Sequence, residues 1–284
     1  MRCAIAVLLV ALATAPAGAD PPGHDGGWPL EVVRRPPWLP ANLCEASLVG
    51  EASLSAPGGG TELFEPISLA PDLHCGTPLG LTLGVIHSAR ALSLVDSGGG
   101  LCLTGEDGGC PRPYDGAALD VRRPMPGGRA VRVALRARLV AKSFEPFKPS
   151  ARLGALVRVG GQGGLLSLLA DPHVSLGLAN QDQGNRDFVA LPLALQLQLG
   201  RRVALELISG VRGEVDAFDE KFAIPIAFGV IATATRDIEL GLEVGWPKLL
   251  GPQNTFKQRH AALVVTYRFA TAPPPPPAAS YRAR

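Results

Sequence analysis

The sequence has few charged residues, few aromatic residues and no long apolar run. Charged residues make up 18% of the 284 residues, whereas ordinary soluble domains carry about 25%. Beyond the N-terminus, no window offers about 20 apolar residues free of charges and helix breakers, which excludes a helical membrane protein. The net charge is +2 and no basic cluster is visible, so nothing indicates nucleic-acid binding.

The first residues have the composition of an export signal. Arg2 gives a short basic start, and Ala4–Ala13 is an apolar run that is too short to span a bilayer as a helix. Ala17-Gly18-Ala19 fits the pattern of a cleavage site. We therefore expect residues 1–19 to be removed, so that the mature chain starts at Asp20.

Removal of that signal leaves four cysteines. An even number in an exported chain suggests two disulfides, although four cysteines allow three pairings. We predict that Cys102 pairs with Cys110 and that Cys44 pairs with Cys75. Zinc is the alternative because His74 precedes Cys75, but structural zinc sites need paired, short-spaced ligands and none accompany these residues. We predict no metal and no cofactor.

The chain divides into regions of different character. Residues 20–42 are rich in proline and predict an extended N-terminal arm, most simply a disordered leader. Residues 43–128 are an irregular β region, in which Gly- and Pro-rich interruptions break short alternating pieces. Residues 129–270 are a series of period-2 segments separated by turn signals, which predicts β-strands. Residues 271–284 form a proline-rich tail.

The face opposite the large apolar residues decides which side of the strands is buried. On a soluble sheet that face meets water and carries charged residues. In FVALPLALQLQLG (188–200) it carries Ala190, Pro192, Ala194, Gln196 and Gln198. This composition favours a membrane barrel, with bulky apolar residues toward lipid and small or polar residues toward a narrow lumen.

Charged residues share the predicted lumen face. They are Arg132, Arg136, Arg138, Arg152, Arg158, Glu206, Glu239, Glu243 and Arg268. We expect opposite signs to meet across the lumen, because buried charges need partners. Pro192 and Pro225 cannot donate to a β-ladder, so each predicts a bulge, a bend or a lapse in pairing.

The signal, the strand series and the last strand, ALVVTYRF (262–269), together resemble those of a bacterial outer-membrane β-barrel. That strand ends in an aromatic residue, as do the last strands of barrels that the barrel insertion machinery recognises. The resemblance implies an all-β, antiparallel up-and-down transmembrane barrel of about 10 strands, within a range of 8 to 12, with both chain ends in the periplasm. It also implies two partners, outer-membrane lipid and the insertion machinery. Aromatic residues make up only 5% of the chain, so the interfacial girdles are expected to be thin.

One constellation resembles a catalytic site. His173 and Ser175 match the His-x-Ser of outer-membrane lipid hydrolases, namely phospholipase A and the lipid A deacylases. The resemblance implies that His173 is the base, Ser175 the nucleophile and Asp187 the group that orients the histidine. However, Leu176 stands where those families usually have Asn. The alternation also directs both side chains away from lipid, and we expect Asp187 to pair near Asn180.

The sequence therefore predicts an outer-membrane barrel with a structural or narrow-pore role and an unknown substrate. A lipid hydrolase using His173, Ser175 and Asp187 is the enzyme alternative. A soluble periplasmic β-protein that binds a small ligand is the third class.

Overall fold

The computed structural model describes residues 28–54, 66–94, 99–104, 110, 112–128, 130–161, 163–252 and 254–271. The predicted signal, the start of the N-terminal arm and the tail beyond residue 271 lie outside the described residues. Fifteen strands make up most of the described chain. They are β1 Leu43–Ser53, β2 Ile67–Gly76, β3 Thr82–Ile86, β4 Gly100–Cys102, β5 Tyr114–Asp115, β6 Ala117–Pro124, β7 Val131–Phe144, β8 Phe147–Gly160, β9 Leu166–Ala170, β10 His173–Gly177, β11 Phe188–Leu199, β12 Val203–Glu214, β13 Phe222–Thr233, β14 Ile238–Leu250 and β15 His260–Ala270.

The strands form one antiparallel sheet that closes on itself, because β15 pairs with β1 from Leu43–Ala270 to Ser53–His260. β9 and β10 occupy one wall position, since both pair with β8 on one side and with β11 on the other. β4 pairs with β2 beyond the end of β3, and β5 pairs with β4 immediately before β6, so these two short strands continue the wall positions of β3 and β6. The ring therefore has twelve wall positions. The predicted class is confirmed, and the extra strands come from the region that the sequence left irregular, which supplies β1, β2, β3 and β6.

The connections distinguish the two ends of the barrel. Short turns join the strands at one end, here called the turn end: 77–81, 125–130, 161–165, 200–202 and 234–237. Longer segments join them at the other end, the loop end: 54–66, 87–116, 178–187, 215–221 and 251–259. β7 and β8 also meet at the loop end, through a tight turn.

Burial alternates along the strands as the sequence predicts. On β11, Ala194 and Gln196 are 0% and 3% exposed inside the ring, whereas Leu195 and Leu199 are 43% and 48% exposed on the outside. A soluble barrel buries its apolar face, and this barrel does the reverse. An outer apolar surface around a polar lumen is the arrangement of a barrel that faces lipid.

Leu195→Arg is therefore expected to lower the free energy of unfolding by about 2–4 kcal/mol, because it places a charge on the outer surface in the middle of β11. Leu199→Arg, at the turn end of the same strand, is the matched control and is expected to cost about 0–1 kcal/mol. Urea titration of the protein refolded in lipid vesicles measures both. Equal costs at the two positions would contradict a lipid-facing surface.

Both strand prolines interrupt the regular pairing. Pro192 lies opposite the break between β9 and β10, where its carbonyl oxygen accepts a hydrogen bond from the backbone nitrogen of Asp171 at 3.0 Å. Beside Pro225 the register between β13 and β14 shifts. β9 and β10 lie on either side of this break and together make one crossing of the wall.

The two predicted disulfides are present. Cys44 and Cys75 occupy facing positions on β1 and β2, so their bond ties the first two strands of the ring together. Cys102 and Cys110 are joined within the 87–116 connection at the loop end.

Candidate functional site: the occupied lumen

The lumen is occupied at the turn end by residues 28–40, here called the plug. The sequence predicts a disordered leader for this stretch, and from Trp28 onward that prediction is wrong. Val33 and Arg35 are only 1% and 6% exposed. The plug contains one short 3-10 helix, Val32–Arg34, and the barrel wall supplies further hydrogen bonds. Leu39 N donates to Thr82 Oγ1 on β3 at 2.8 Å.

Two glycines in the wall let the plug backbone approach closely. A Cβ at Gly161 would lie 1.8 Å from the carbonyl oxygen of Val33, and a Cβ at Gly76 would lie 1.9 Å from that of Pro40. No side chain fits at either distance. The plug backbone therefore packs directly against the wall at these two positions.

Arg35 is the charged anchor of the plug. Its guanidinium group forms an ion pair with Glu239 and donates to Thr233 Oγ1 at 2.9 Å. The same side chain binds the carbonyl oxygens of Pro29 and Leu30 at 3.0 and 3.1 Å. Burial lowers the pKa of Arg35, and the carboxylate of Glu239 opposes that effect.

A second segment, residues 87–94, folds into the lumen from the loop end and is here called the inner loop. Asp72 on β2 holds its start, accepting hydrogen bonds from the backbone nitrogens of His87 and Ser88 at 2.6 and 3.0 Å. Ser88 then caps a single helical turn, Ala89–Leu92, by accepting from Ala91 N at 3.0 Å. The cap and its anchor thus fix where the inner loop enters.

Arg90 fastens the inner loop to the opposite wall. Its Nη2 lies 2.9 Å from Glu206 and its Nε lies 3.0 Å from Glu243. Burial alone would lower the pKa of Arg90, but the carboxylates of Glu243 and Glu206 outweigh it and raise the pKa above its ordinary value. Leu94 packs nearby against Ala194 and its buried neighbours.

Two cavities within the described part of the lumen are bordered by the inserted segments. One cavity, of about 290 Å³, lies between the plug and the inner loop. Its lining includes Arg35, Arg90 and residues from opposite sides of the ring. The other, of about 740 Å³, opens at the loop end and is called the vestibule. Its lining includes Ala89 of the inner loop, so this segment contributes to both cavities.

Arginines form a column on the wall made by β7 and β8. In the register of these strands, Arg138 faces Arg152 and Arg132 faces Arg158, while Arg136 lies between the two pairs. All but Arg132, which is half-buried, are at most 5% exposed.

Aspartates, rather than the glutamates expected from the sequence, partner this column. Asp120 on β6 lies 2.7 Å from Arg136. Asp171, in the break between β9 and β10, lies 2.9 Å from Arg136 and 3.1 Å from Arg138. Arg158 instead shares Gln196 with Glu206: it donates to the Gln196 carbonyl oxygen, while Gln196 Nε2 donates to Glu206 at 2.8 Å.

The glutamates lie on the other side of the ring, on β12 and β14. They pair with Arg35 of the plug and Arg90 of the inner loop. Glu239 also lies 3.4 Å from Arg268, and Glu243 lies 3.1 Å from His260. Arg268 also lies 2.7 Å from Glu45 on β1. The inserted segments therefore provide much of the pairing that the sequence assigned to contacts across the lumen.

The candidate catalytic residues are not brought into a catalytic arrangement. His173 and Ser175 are both buried on the lumen face. His173 Nδ1 bonds the backbone oxygen of Asp171 at 2.8 Å, and Asp187 accepts from Gly177 N at 2.7 Å. Within the described residues, His173 Nε2 and the Ser175 hydroxyl have no hydrogen-bond partner. A nucleophile needs contact with its base, and that contact is missing.

The register near this site also corrects the prediction for Asp187. Phe188 pairs with Ser175 and Asp187 accepts a hydrogen bond from Gly177 N, so Asp187 lies beside β10. The connection is asymmetric, because β10 ends at Gly177 whereas β11 begins at Phe188.

Sequence reasoning missed several lumen residues. They are Arg35, Glu45, Asp72, His74, Arg90, Asp120, Asp171 and His260. A signal exists for some of them: Asp72 and His74 alternate with Pro71 and Leu73, and the apolar pair faces outward. The inner-loop and plug arginines carry no periodic signal, because they do not lie on strands.

No helix within the described residues is long and apolar enough to cross a membrane. Across the same residues, no three histidine, cysteine or acidic side chains converge in the manner of a metal site. The adjacent His74 and Cys75 of the zinc alternative are engaged separately, in a hydrogen bond to Asp120 and in a disulfide.

A closed antiparallel ring, apolar outside and polar inside, has the fold of the outer-membrane β-barrels, and solved structures of that class are similar to it. The NanC porin matches with a TM-score of 0.55 at 7% identity, over 78% of this chain and 98% of its own. The KdgM porin in complex with disordered oligogalacturonate matches with a TM-score of 0.52 at 10% identity, over 79% and 99%. The COG4313 outer membrane channel from Pseudomonas putida F1 matches with a TM-score of 0.52 at 13% identity, over 88% and 100%. No family model and no curated protein sequence matches the chain.

Proposed function

We propose that the chain forms a narrow pore in an outer membrane, with its turn end toward the periplasm and with lipid around its wall. Export through residues 1–19 and assembly by the barrel insertion machinery are part of the same proposal. The observation that carries it is the composition of the lumen: buried arginine, aspartate, glutamate and glutamine side chains line much of the wall, and two segments of the described chain, the plug and the inner loop, fill part of the interior.

The narrowness follows from those segments rather than from the size of the ring. A barrel of about eight strands is filled by its own side chains, and wider rings leave an aqueous interior. Twelve wall positions leave room, and the plug and inner loop occupy it. The similar structures are porins and a channel, one of them in complex with oligogalacturonate. The likeness to porins and a channel supports the class of function, and it assigns no substrate to this chain.

Conductance in planar bilayers, measured with and without the plug, tests the proposal. The full chain is expected to conduct weakly, and deletion of residues 28–40 is expected to raise single-channel conductance several-fold. Arg35→Ala is expected to increase the open fraction, because it removes the ion pair with Glu239 that anchors the plug. Arg34→Ala is the matched control, since the Arg34 side chain is 49% exposed and its one ion pair spans 3.9 Å.

The outcomes separate a pore from a structural barrel. Equal conductance of the full chain and the deletion variant would contradict occlusion by the plug. Absence of ion flux in all forms, with folding verified by heat-dependent gel mobility, would overturn the pore and leave a purely structural role.

A further inference from the structure

The cavity between the plug and the inner loop, here called the central cavity, has a lining of mixed character. The plug contributes Trp28, Pro37 and Trp38, and the wall contributes apolar side chains such as Leu169 and Val264. Polar side chains of the wall and the inner loop complete the lining. Small-molecule sites combine an apolar surface with a few fixed polar groups in this way. The volume of about 290 Å³ is close to the lower end of their usual range.

Three buried donors belong to side chains that line the central cavity. Within the described residues, Trp28 Nε1, Arg158 Nε and Arg268 Nη1 have no hydrogen-bond partner. Indole and guanidinium nitrogens donate hydrogen bonds and cannot accept them. A buried donor without an acceptor lowers stability. The partners that these groups call for are therefore acceptor atoms, which a molecule in the cavity can supply.

Contacts at other atoms of the same side chains hold these donors in place. Arg268 Nε lies 2.7 Å from Glu45, and its Cζ lies 5.6 Å from the centroid of the Trp28 ring. Arg158 Nη1 donates to the carbonyl oxygen of Val32 in the plug at 3.2 Å. Donors that are fixed before a ligand arrives lose little entropy when it binds.

The charges around the central cavity are already compensated, which favours an uncharged ligand. Five of the six arginines in the lining form ion pairs with carboxylates: Arg35, Arg90, Arg122, Arg136 and Arg268. The sixth, Arg158, shares Gln196 with Glu206. A charged ligand would meet groups of its own sign among these pairs and would also lose its hydration on entry.

We propose that the central cavity binds a small uncharged molecule that carries several hydroxyl groups on an apolar frame, of the size of a single sugar ring. Trp28, Arg158 and Arg268 are its principal donors. Hydroxyl groups both accept and donate, so they also pair with carboxylates of the lining, while the apolar frame contacts the tryptophan and proline rings. The inference rests on the proposed pore, because the molecule reaches the cavity through the lumen.

Isothermal titration calorimetry on the full chain tests the site, in micelles of an amine oxide detergent, whose head group carries no sugar. Glucose and myo-inositol are the probes. Glucuronate adds a charge to a sugar ring, and cyclohexanol keeps a ring with a single oxygen. At least one probe is expected to bind, with glucuronate and cyclohexanol each weaker by at least about 10-fold.

Matched substitutions locate the site. Trp28→Phe keeps an aromatic ring but removes the indole donor, and Arg158→Lys keeps the charge but removes the Nε donor. Each is expected to weaken binding of the probe by about 5-fold to 10-fold. Trp246→Phe and Arg201→Lys are the controls, because neither residue is in the lining, and they are expected to change the affinity by less than about 2-fold.

Tryptophan fluorescence gives a second readout that a merely structural role of Trp28 would not move. Two of the three tryptophans, Trp28 and Trp38, line the cavity. The probe is therefore expected to change the emission of the full chain and of Trp246→Phe, and to change that of Trp28→Phe less. Heat-dependent gel mobility verifies that each variant is folded, and Arg158→Lys keeps the test decisive if Trp28→Phe is not.

Failure of this site and failure of the pore give different results. Conductance without binding of either probe overturns the ligand site and leaves the pore. Binding without conductance overturns the pore and keeps the site. Glucuronate binding as tight as that of the better probe overturns the uncharged ligand class. Equal affinity of the two donor variants and their controls overturns the assignment of the contacts.

Discussion

Asp120→Asn is expected to lower the free energy of unfolding by about 3–5 kcal/mol, as when one partner of a buried ion pair is removed. The Asp120 side chain is fully buried on β6 and lies 2.7 Å from both Arg122 and Arg136, with His74 at 3.2 Å. Asparagine keeps the shape but removes the charge. The guanidinium groups would then remain inside the barrel beside a neutral amide.

Urea titration in detergent micelles, followed through the fluorescence of the three tryptophans, measures this effect. Asp219→Asn is the matched control, because Asp219 is exposed at the loop end, and its cost is expected to stay within about 0.5 kcal/mol. Arg122→Gln is expected to fall between the two, since Asp120 keeps Arg136. Equal stability of the two aspartate variants would show that the ion pairs of the lumen do not stabilise the barrel.

Arg90→Ala is expected to destabilise the barrel by a similar amount, about 3–5 kcal/mol, and to release the inner loop. It leaves Glu206 and Glu243 buried without the cation that bridges them. Because the inner loop lines both cavities, we also expect the variant to show larger current fluctuations in planar bilayers. The same urea titration gives the change in stability.

A triple variant distinguishes the charge effect from lost packing. Adding Glu206→Gln and Glu243→Gln to Arg90→Ala removes the uncompensated carboxylates, so the triple variant is expected to be more stable than Arg90→Ala alone. Arg112→Ala serves as the arginine control, because its pair with Asp115 is 32% exposed on both sides and is worth about 0–1 kcal/mol. A triple variant that is less stable than Arg90→Ala would contradict the ion-pair explanation.

The orientation of the wall could be predicted from local sequence. Alternation assigns each residue of a strand to one of two faces, and the uncharged, small or amide side chains at Ala190, Ala194 and Gln196 identify the lumen face. The same reasoning directs His173 and Ser175 inward, where they are found. The disturbance at Pro192 follows from its missing backbone donor. Each of these inferences needs only the strand itself.

Local sequence gives the ring size only as a range of 8 to 12 strands, which includes the twelve wall positions, and it does not predict the contents of the lumen. Gly- and Pro-rich interruptions separate β1, β2, β3 and β6, so the region that carries Asp72 and His74 looks irregular in the sequence. The plug shows no periodicity, and the space that it fills exists only after the ring has closed. The partners of the lumen charges could not be predicted either, because Asp171 and Arg90 lie outside the strands and act through tertiary contacts.

The plug also has a consequence for the order of folding. Its hydrogen bonds and ion pair reach Thr82 on β3, Gln198 on β11 and Glu239 on β14, across 43, 165 and 204 residues of sequence. Contacts of such long range form late, because the loss of chain entropy precedes their gain. No partly formed sheet presents all three partners together. We therefore expect the plug, which precedes β1 in the chain, to be the last part of the described chain to reach its place.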